Sequence, residues 1–299
     1  MRDFYIIYIP CSHQVVSNYI RAEIPISFSS QPSCLFKFPF SFLGSLRFVG
    51  RLYSIFYYLW ALLYILFLRN RRTIAYFVKL DKAWTLDLFN FFGITTVLDV
   101  NDPLCNDSLL GEKCALSLYS RAKGIVFESL EYRDYLRAKH PALFTRFSST
   151  VIEDSVQIVP DYIRPFSMRE KIVVWYGNAC HSDILLDYLP HLSYLAQRGY
   201  LLHLLGFESP TCLSILSGLF DDRIVISALT TQSLESSLSV ARFSFVPMPS
   251  SNILYTLRGN LKCKIAISRG CVPLAEGVPM HWRLFGTPNP FTFSTAIDV

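Results

Sequence analysis

Charge is what this sequence has least of. Asp, Glu, Lys and Arg make up 17% of its 299 residues, against 52% hydrophobic. Water on every side suits such a chain poorly, so a membrane or a partner surface is expected to cover part of it. The net charge of +5 is modest and diffuse; it fits phosphorylated ligands or anionic headgroups and argues against a nucleic-acid partner. The eight cysteines include no C-x2-C pair, which excludes the usual zinc and thiol-redox spacings, and a chain this long needs no disulfide framework. Reduced, buried thiols in a cytoplasmic protein are expected. No G-x-G-x-x-G fingerprint occurs, and no internal repeat, which rules out repeat architectures. The start, MRDFYIIYIP, has a short apolar run and no small-residue cleavage site, so a buried strand is expected there and not a signal peptide.

What is present is a regular alternation of short apolar strands and helical segments, the pattern of α/β domains with parallel sheets. Strands are expected at 4–9, 73–78, 95–100, 124–128 and 149–152, then at 171–176, 201–205, 224–226, 243–246 and 271–275, with helices between them, one of them at 182–198. Residues 27–45, rich in Ser, Pro and Phe, read as an apolar loop. The polar, Pro-bearing stretch 153–170 reads as a boundary between two domains, 1–160 and 161–299. The segment from Leu52 to Leu68, LYSIFYYLWALLYILFL, is 17 residues without a charge, bracketed by Arg47, Arg51, Arg69, Arg71 and Arg72. A span needs ~20 apolar residues. The pattern leaves open a half-buried domain helix, a helix lying in a cytoplasmic leaflet, and a true span.

Open parallel sheets bind ligands at the carboxyl edge of their strands. In the first domain the candidates there are His13, after strand 4–9, and Asp99 and Asp102 in the strand end DVNDP. Asp102 equally fits an Asx-turn or a helix N-cap, and His13 a structural hydrogen-bonder. In the second domain Gly177 and Asn178 follow strand 171–176, where a glycine lets a ligand or helix approach the backbone. The stretch 243–279 reads as strand, polar loop, a helix from about 260 to 269 stopped by Gly270, and a short strand. The N-terminus of that helix favours an anion. Arg258 and Lys262 flank it one helical turn apart, within reach of the same phosphates. An ordinary βαβ unit with two solvated basic side chains has the same local pattern.

Four stretches carry a resemblance: TIAYFVKLDK (73–82), TTVLDVNDP (95–103), AKGIVFES…VIEDSVQ (122–157) and RGNLKCKIAISRGCVP (258–273). They are similar to strand ends and to the donor loop of GT-B-fold glycosyltransferases, the retaining, group-4-like enzymes that build bacterial surface polysaccharides. The resemblance implies an α/β fold of two Rossmann-like domains facing across a cleft, the second incomplete, because the usual last strand and crossing helix find no match after Leu284. It implies a nucleotide-sugar donor on the second domain, its diphosphate held by Arg258 and Lys262, with Gly177, Asn178, Asn260 and Glu276 around it. A lipid-linked or surface glycan acceptor would meet Asp99 and Asp102 on the first domain, His13 acting on its hydroxyl. No metal and no cofactor beyond the nucleotide-sugar co-substrate is implied, and the protein is expected to be cytoplasmic and membrane-associated through residues 52–68. Two family glutamates fall on Ile265 and Leu257. They motivate the alternative, a non-catalytic pseudo-glycosyltransferase serving as partner subunit or membrane-surface module.

Overall fold

The computed structural model describes residues 4–10, 19–36, 50–68, 72–80, 82–100, 109–154, 156, 162–177, 179–221, 223–249, 253–285 and 292–293. The chain divides into two compact units, Met1–Asp154 with Leu257–Gly259, and Ser155–Thr256 with Asn260–Val299.

The first unit is built on a parallel sheet in the order β2-β1-β3-β4-β5-β6. Its strands are β1 (Phe4–Pro10), β2 (Ser33–Leu35), β3 (Arg72–Val78), β4 (Thr95–Val100), β5 (Gly124–Phe127) and β6 (Ser148–Val151). Ile6 stands opposite Ile74, and Leu98 opposite Ile125. The period of two sorts each strand: Ile7, Ile9, Ala75, Phe77, Leu98 and Phe127 enter one core, while Tyr8 and Val78 pack with Ala22 on the other face. Strand β2 lies inside the stretch read as a loop. Three residues are too few to show alternation, and it is pairing with β1, Ile7 opposite Cys34, that makes them a strand.

Between the strands run α1 (Ile24–Phe28), α2 (Gly50–Phe67), α3 (Ala83–Phe91), α4 (Leu109–Tyr119) and α5 (Leu130–Lys139). The crossovers from β2 onward all advance one way along the sheet. Right-handed connections therefore lay α2 to α5 on one face. Helix α2 sends Tyr57, Tyr58, Ala61, Leu62 and Ile65 into the core beneath it, so one of its faces is built into the domain. Among the described residues no helix is long and apolar enough to cross a membrane.

The opposite face of this sheet holds a buried ion network. The Arg21 guanidinium donates through Nε to both Asp99 oxygens at 3.1 Å, and through Nη1 to Asp154 at 2.9 Å and the Ile152 carbonyl at 2.7 Å. The Tyr76 hydroxyl adds a bond to Asp99 at 2.6 Å. Burial works to lower the pKa of Arg21, but Asp99 and Asp154 together hold it above its ordinary value.

The second unit carries a parallel sheet in the order β12-β11-β10-β7-β8-β9, with β7 (Glu170–Tyr176), β8 (Leu201–Leu205), β9 (Ile224–Ser227), β10 (Ala241–Val246), β11 (Val272–Glu276) and β12 (Thr292–Phe293). Its helices are α6 (Leu189–Gln197), α7 (Pro210–Phe220), α8 (Thr231–Val240), α9 (Ile253–Thr256), α10 (Leu261–Ser268) and α11 (Pro279–Phe285). The single helix expected at 182–198 is instead a 3-10 stretch, Ala179–Tyr188, followed by α6. Pro190 explains the break, since proline fits the first turn of a helix and not its interior. Trp175, Tyr188, Leu204, Phe220 and Phe245 form the main core.

A second buried cation, Arg169, pins the far end of this unit by donating to four backbone carbonyls, those of Arg164, Leu238, Ala241 and Arg269, at 2.6–2.9 Å. Cys212, Cys263 and Cys271 are free and buried. Burial pushes the Cys212 thiol up to about 11 and those of Cys263 and Cys271 up to about 12.

Removing Arg21 takes from two buried carboxylates the guanidinium that pairs them. Arg21→Ala is expected to cost the first unit about 3–5 kcal/mol, read by urea denaturation; a loss below about 1 kcal/mol would show that the network is not what holds this face together.

Candidate functional site

Parallel strands bring their carboxyl ends to one edge of a sheet. In the second unit that edge collects Gly177 after β7, Gly206 after β8 and Glu276 at the end of β11. Helix α10 adds Lys262, its second residue. The Lys262 ammonium donates to the Tyr176 carbonyl at 2.8 Å, and the Tyr176 hydroxyl donates back to the Lys262 carbonyl at 2.9 Å. The same ammonium lies 5.4 Å from the Tyr176 ring centroid and 5.9 Å from that of Trp175. Aromatic faces help to hold it as a cation. A Cβ placed on Gly177 would stand 3.6 Å from Lys262 Nζ and 2.9 Å from the Trp175 ring. Gly177 and Lys262, singled out independently in the sequence, are thus neighbours.

Glycine is also required at position 206, where φ is +73° and a Cβ would stand 2.5 Å from the Gly177 carbonyl oxygen. Asn260 is buried and precedes α10; its side chain does not cap the helix, and its carbonyl accepts the first helical bond, from Lys264, at 3.1 Å.

Other candidates take different places. Glu276 is 1% exposed. Its carboxylate accepts from the Tyr188 hydroxyl and its carbonyl from His281 Nδ1 at 2.6 Å, so it is held inside the unit and not presented to a donor. Asp99 stands at the carboxyl end of β4, but it is 1% exposed and engaged by Arg21 and Tyr76, so it is not open to an acceptor. Arg258 is half-buried in the segment Leu257–Gly259, which groups with the first unit: Leu257 lies in that unit's core and its carbonyl accepts from Ser129 Oγ. The expected pair therefore divides between the units, and Lys262 alone is placed at the start of α10. His13, Asp102 and Asn178 lie outside the described residues. Among the described residues no cluster of His, Cys, Asp or Glu could hold a metal ion.

Sequence reasoning missed Tyr176 and Tyr188, the two tyrosines that fix Lys262 and Glu276. Tyr176 reads as one more apolar residue of a buried strand, and Tyr188 sits in a stretch whose 3-10 form hides which face it shows.

The sequence matches no family profile and no curated protein. Its structure is similar to several solved ones. TarM matches at 13% identity and a TM-score of 0.54, over 75% of this chain and 45% of TarM. The α,α-trehalose 6-phosphate synthase of Burkholderia multivorans matches at 9% identity and 0.62, over 99% of this chain and 86% of that one. Anabaena HepE, solved in complex with UDP, matches at 12% and 0.52, over 95% and 83%. This chain spans less than half the length of TarM. All three are GT-B glycosyltransferases, and the chain has the GT-B fold.

Two measurements follow from this edge. Gly206→Ala is expected to destabilise the second unit by about 1–3 kcal/mol, because it forces both a left-handed φ and a clash with backbone; an unchanged denaturation midpoint would contradict it. Burial lowers the pKa of His191, His203 and His281 below 6.5. Because the folded values are depressed, the unfolded chain binds more protons. The stability is complete above about pH 6.5 and is lost as the pH falls below it. The melting temperature should therefore drop between about pH 7.5 and about pH 5.5, and His203→Gln should flatten that drop.

Proposed function

We propose that this chain is a glycosyltransferase that moves a sugar from a nucleotide-diphosphate donor to a lipid-linked or surface glycan acceptor. The observation that carries the reading is Lys262, an ammonium fixed at the carboxyl edge of the second sheet, at the start of α10 and beside the bare backbone of Gly177. In a transfer from such a donor the departing group is a nucleoside diphosphate, and negative charge grows on its bridging oxygen as the sugar leaves. A cation already held in place by protein dipoles stabilises that charge without reorganising. The helix dipole of α10 adds to it. One N–H of Lys262 is directed to the Tyr176 carbonyl, which fixes the ammonium. Gly177 leaves the room a side chain would fill.

In this reading the leaving group needs no metal, the reaction proceeds with retention, and His13 acts on the acceptor hydroxyl with Asp102 nearby in sequence to the strand end that positions the acceptor. The UDP bound to HepE makes a uridine diphosphate donor the first to try. The enzyme works in the cytoplasm at a membrane surface, where lipid-linked acceptors are found.

A second reading, a non-catalytic member of the same fold, is favoured by Ile265 and Leu257. Ile265 packs on an apolar cluster of the second unit and Leu257 lies in the core of the first. Neither can accept a hydrogen bond from a donor ribose.

Thermal melts with UDP, GDP, ADP and CDP test the proposal. A nucleotide present at about 100 times its dissociation constant should stabilise the protein by about 2.7 kcal/mol. Lys262→Met should abolish that gain, measured against the variant's own melt without nucleotide, because the Tyr176 carbonyl also loses its partner. Transfer measured as UDP release should fall about 10²-fold in the same variant. No stabilisation by any nucleotide would overturn the reading, and nucleotide binding with no release from any sugar donor would favour the non-catalytic one.

A further inference from the structure

The outward side of α2 is unusual for a helix on a domain surface. From Ile55 to Phe67 every exposed side chain is aliphatic or aromatic, with Phe56, Trp60, Leu63 and Phe67 the most open. Helix α3 lies beside it: the Trp84 ring meets the Tyr58 ring edge-on at 5.8 Å between centroids. Trp84, Phe91 and Phe92, on α3 and at its end, are exposed as well. The two helices thus share one apolar, aromatic-rich surface on the first unit, and scattered surface hydrophobics do not collect in this way.

Charge says what covers it. Between Ile24 and Leu80 the sequence holds seven basic residues and no acidic one. That is a local charge of +7 in a chain whose net charge is only +5, and it brackets α2 on both sides. Apolar side chains with Trp and Tyr among them, framed by Lys and Arg, are the composition that seats a helix at the boundary between headgroups and acyl chains of an anionic leaflet.

We propose that α2 and α3 dock the first unit onto an anionic lipid surface, lying in its plane. The helix does not cross, because its other face is built into the core through Tyr58, Ala61, Leu62 and Ile65. The inference deepens the membrane association in the proposed function by naming the surface, and it rests on no nucleotide chemistry, so its test stands apart from that of the transferase.

The experiment is co-sedimentation of the full chain with large vesicles, of phosphatidylcholine alone and of phosphatidylcholine with roughly one third phosphatidylglycerol. Binding is expected to the anionic vesicles, weak on the neutral ones, and reduced by high salt. The quadruple variant Phe56→Ser, Trp60→Ser, Leu63→Ser, Phe67→Ser should bind at least about 10-fold more weakly and melt close to wild type, since none of the four is in the core. A reading that needs no variant is quenching of tryptophan emission by brominated acyl chains, expected from Trp60 and Trp84. No quenching on anionic vesicles, variant binding equal to wild type, or a concentration-dependent dimer that the quadruple variant abolishes would overturn the proposal, the last by showing a second copy on this face.

Discussion

The reciprocal pair of hydrogen bonds between Lys262 and Tyr176 is the constraint from which the rest of the candidate site follows. One bond ties the ammonium to the end of β7, and the other ties the tyrosine hydroxyl to the first turn of α10. Each residue supplies both a side-chain donor and a main-chain acceptor, so neither can move without exposing the other's polar groups. Burial pushes the Tyr176 hydroxyl well above its usual range, which favours its protonated, donating form. A flexible lysine stem is turned into a fixed charge, and fixed charge is what electrostatic catalysis requires.

The two buried arginines show how differently one side chain can serve. Arg21 is neutralised by carboxylates and joins three separated parts of the first unit, at positions 21, 99 and 154. Arg169 faces carbonyl dipoles and gathers the ends of α8 and α10. The first arrangement has strong Coulomb attraction against a large desolvation cost, while the second relies on dipoles at helix C-termini.

Much of the architecture was legible in the sequence because short apolar runs such as 95–100 and 201–205 mark strands of a parallel sheet, and because Gly270 stops a helix with known chemistry. Strand β2 was not legible, since its identity lies in a neighbour 27 residues away, Ile7 beside Cys34. The site was legible in part. Gly177 and Lys262 were found by position, each at an edge where ligands bind. The same rule chose Asp99, and the resemblance chose Glu276; burial turns both into internal partners. Position along a strand says where a side chain begins, and only packing says whether it ends in solvent. Arg258 shows the same limit, because the sequence places it just ahead of the helix and only packing shows that its segment groups with the first unit.

Cys263 has a use that its burial creates. It follows Lys262 directly and is fully buried, and burial raises the thiol's pKa, which leaves little of the thiolate that alkylating reagents attack. In the native helix it is therefore shielded from such reagents, and labelling is expected only when α10 lifts from the sheet. The chain thus carries its own clock for that opening, one residue from the charge on which the proposed chemistry turns.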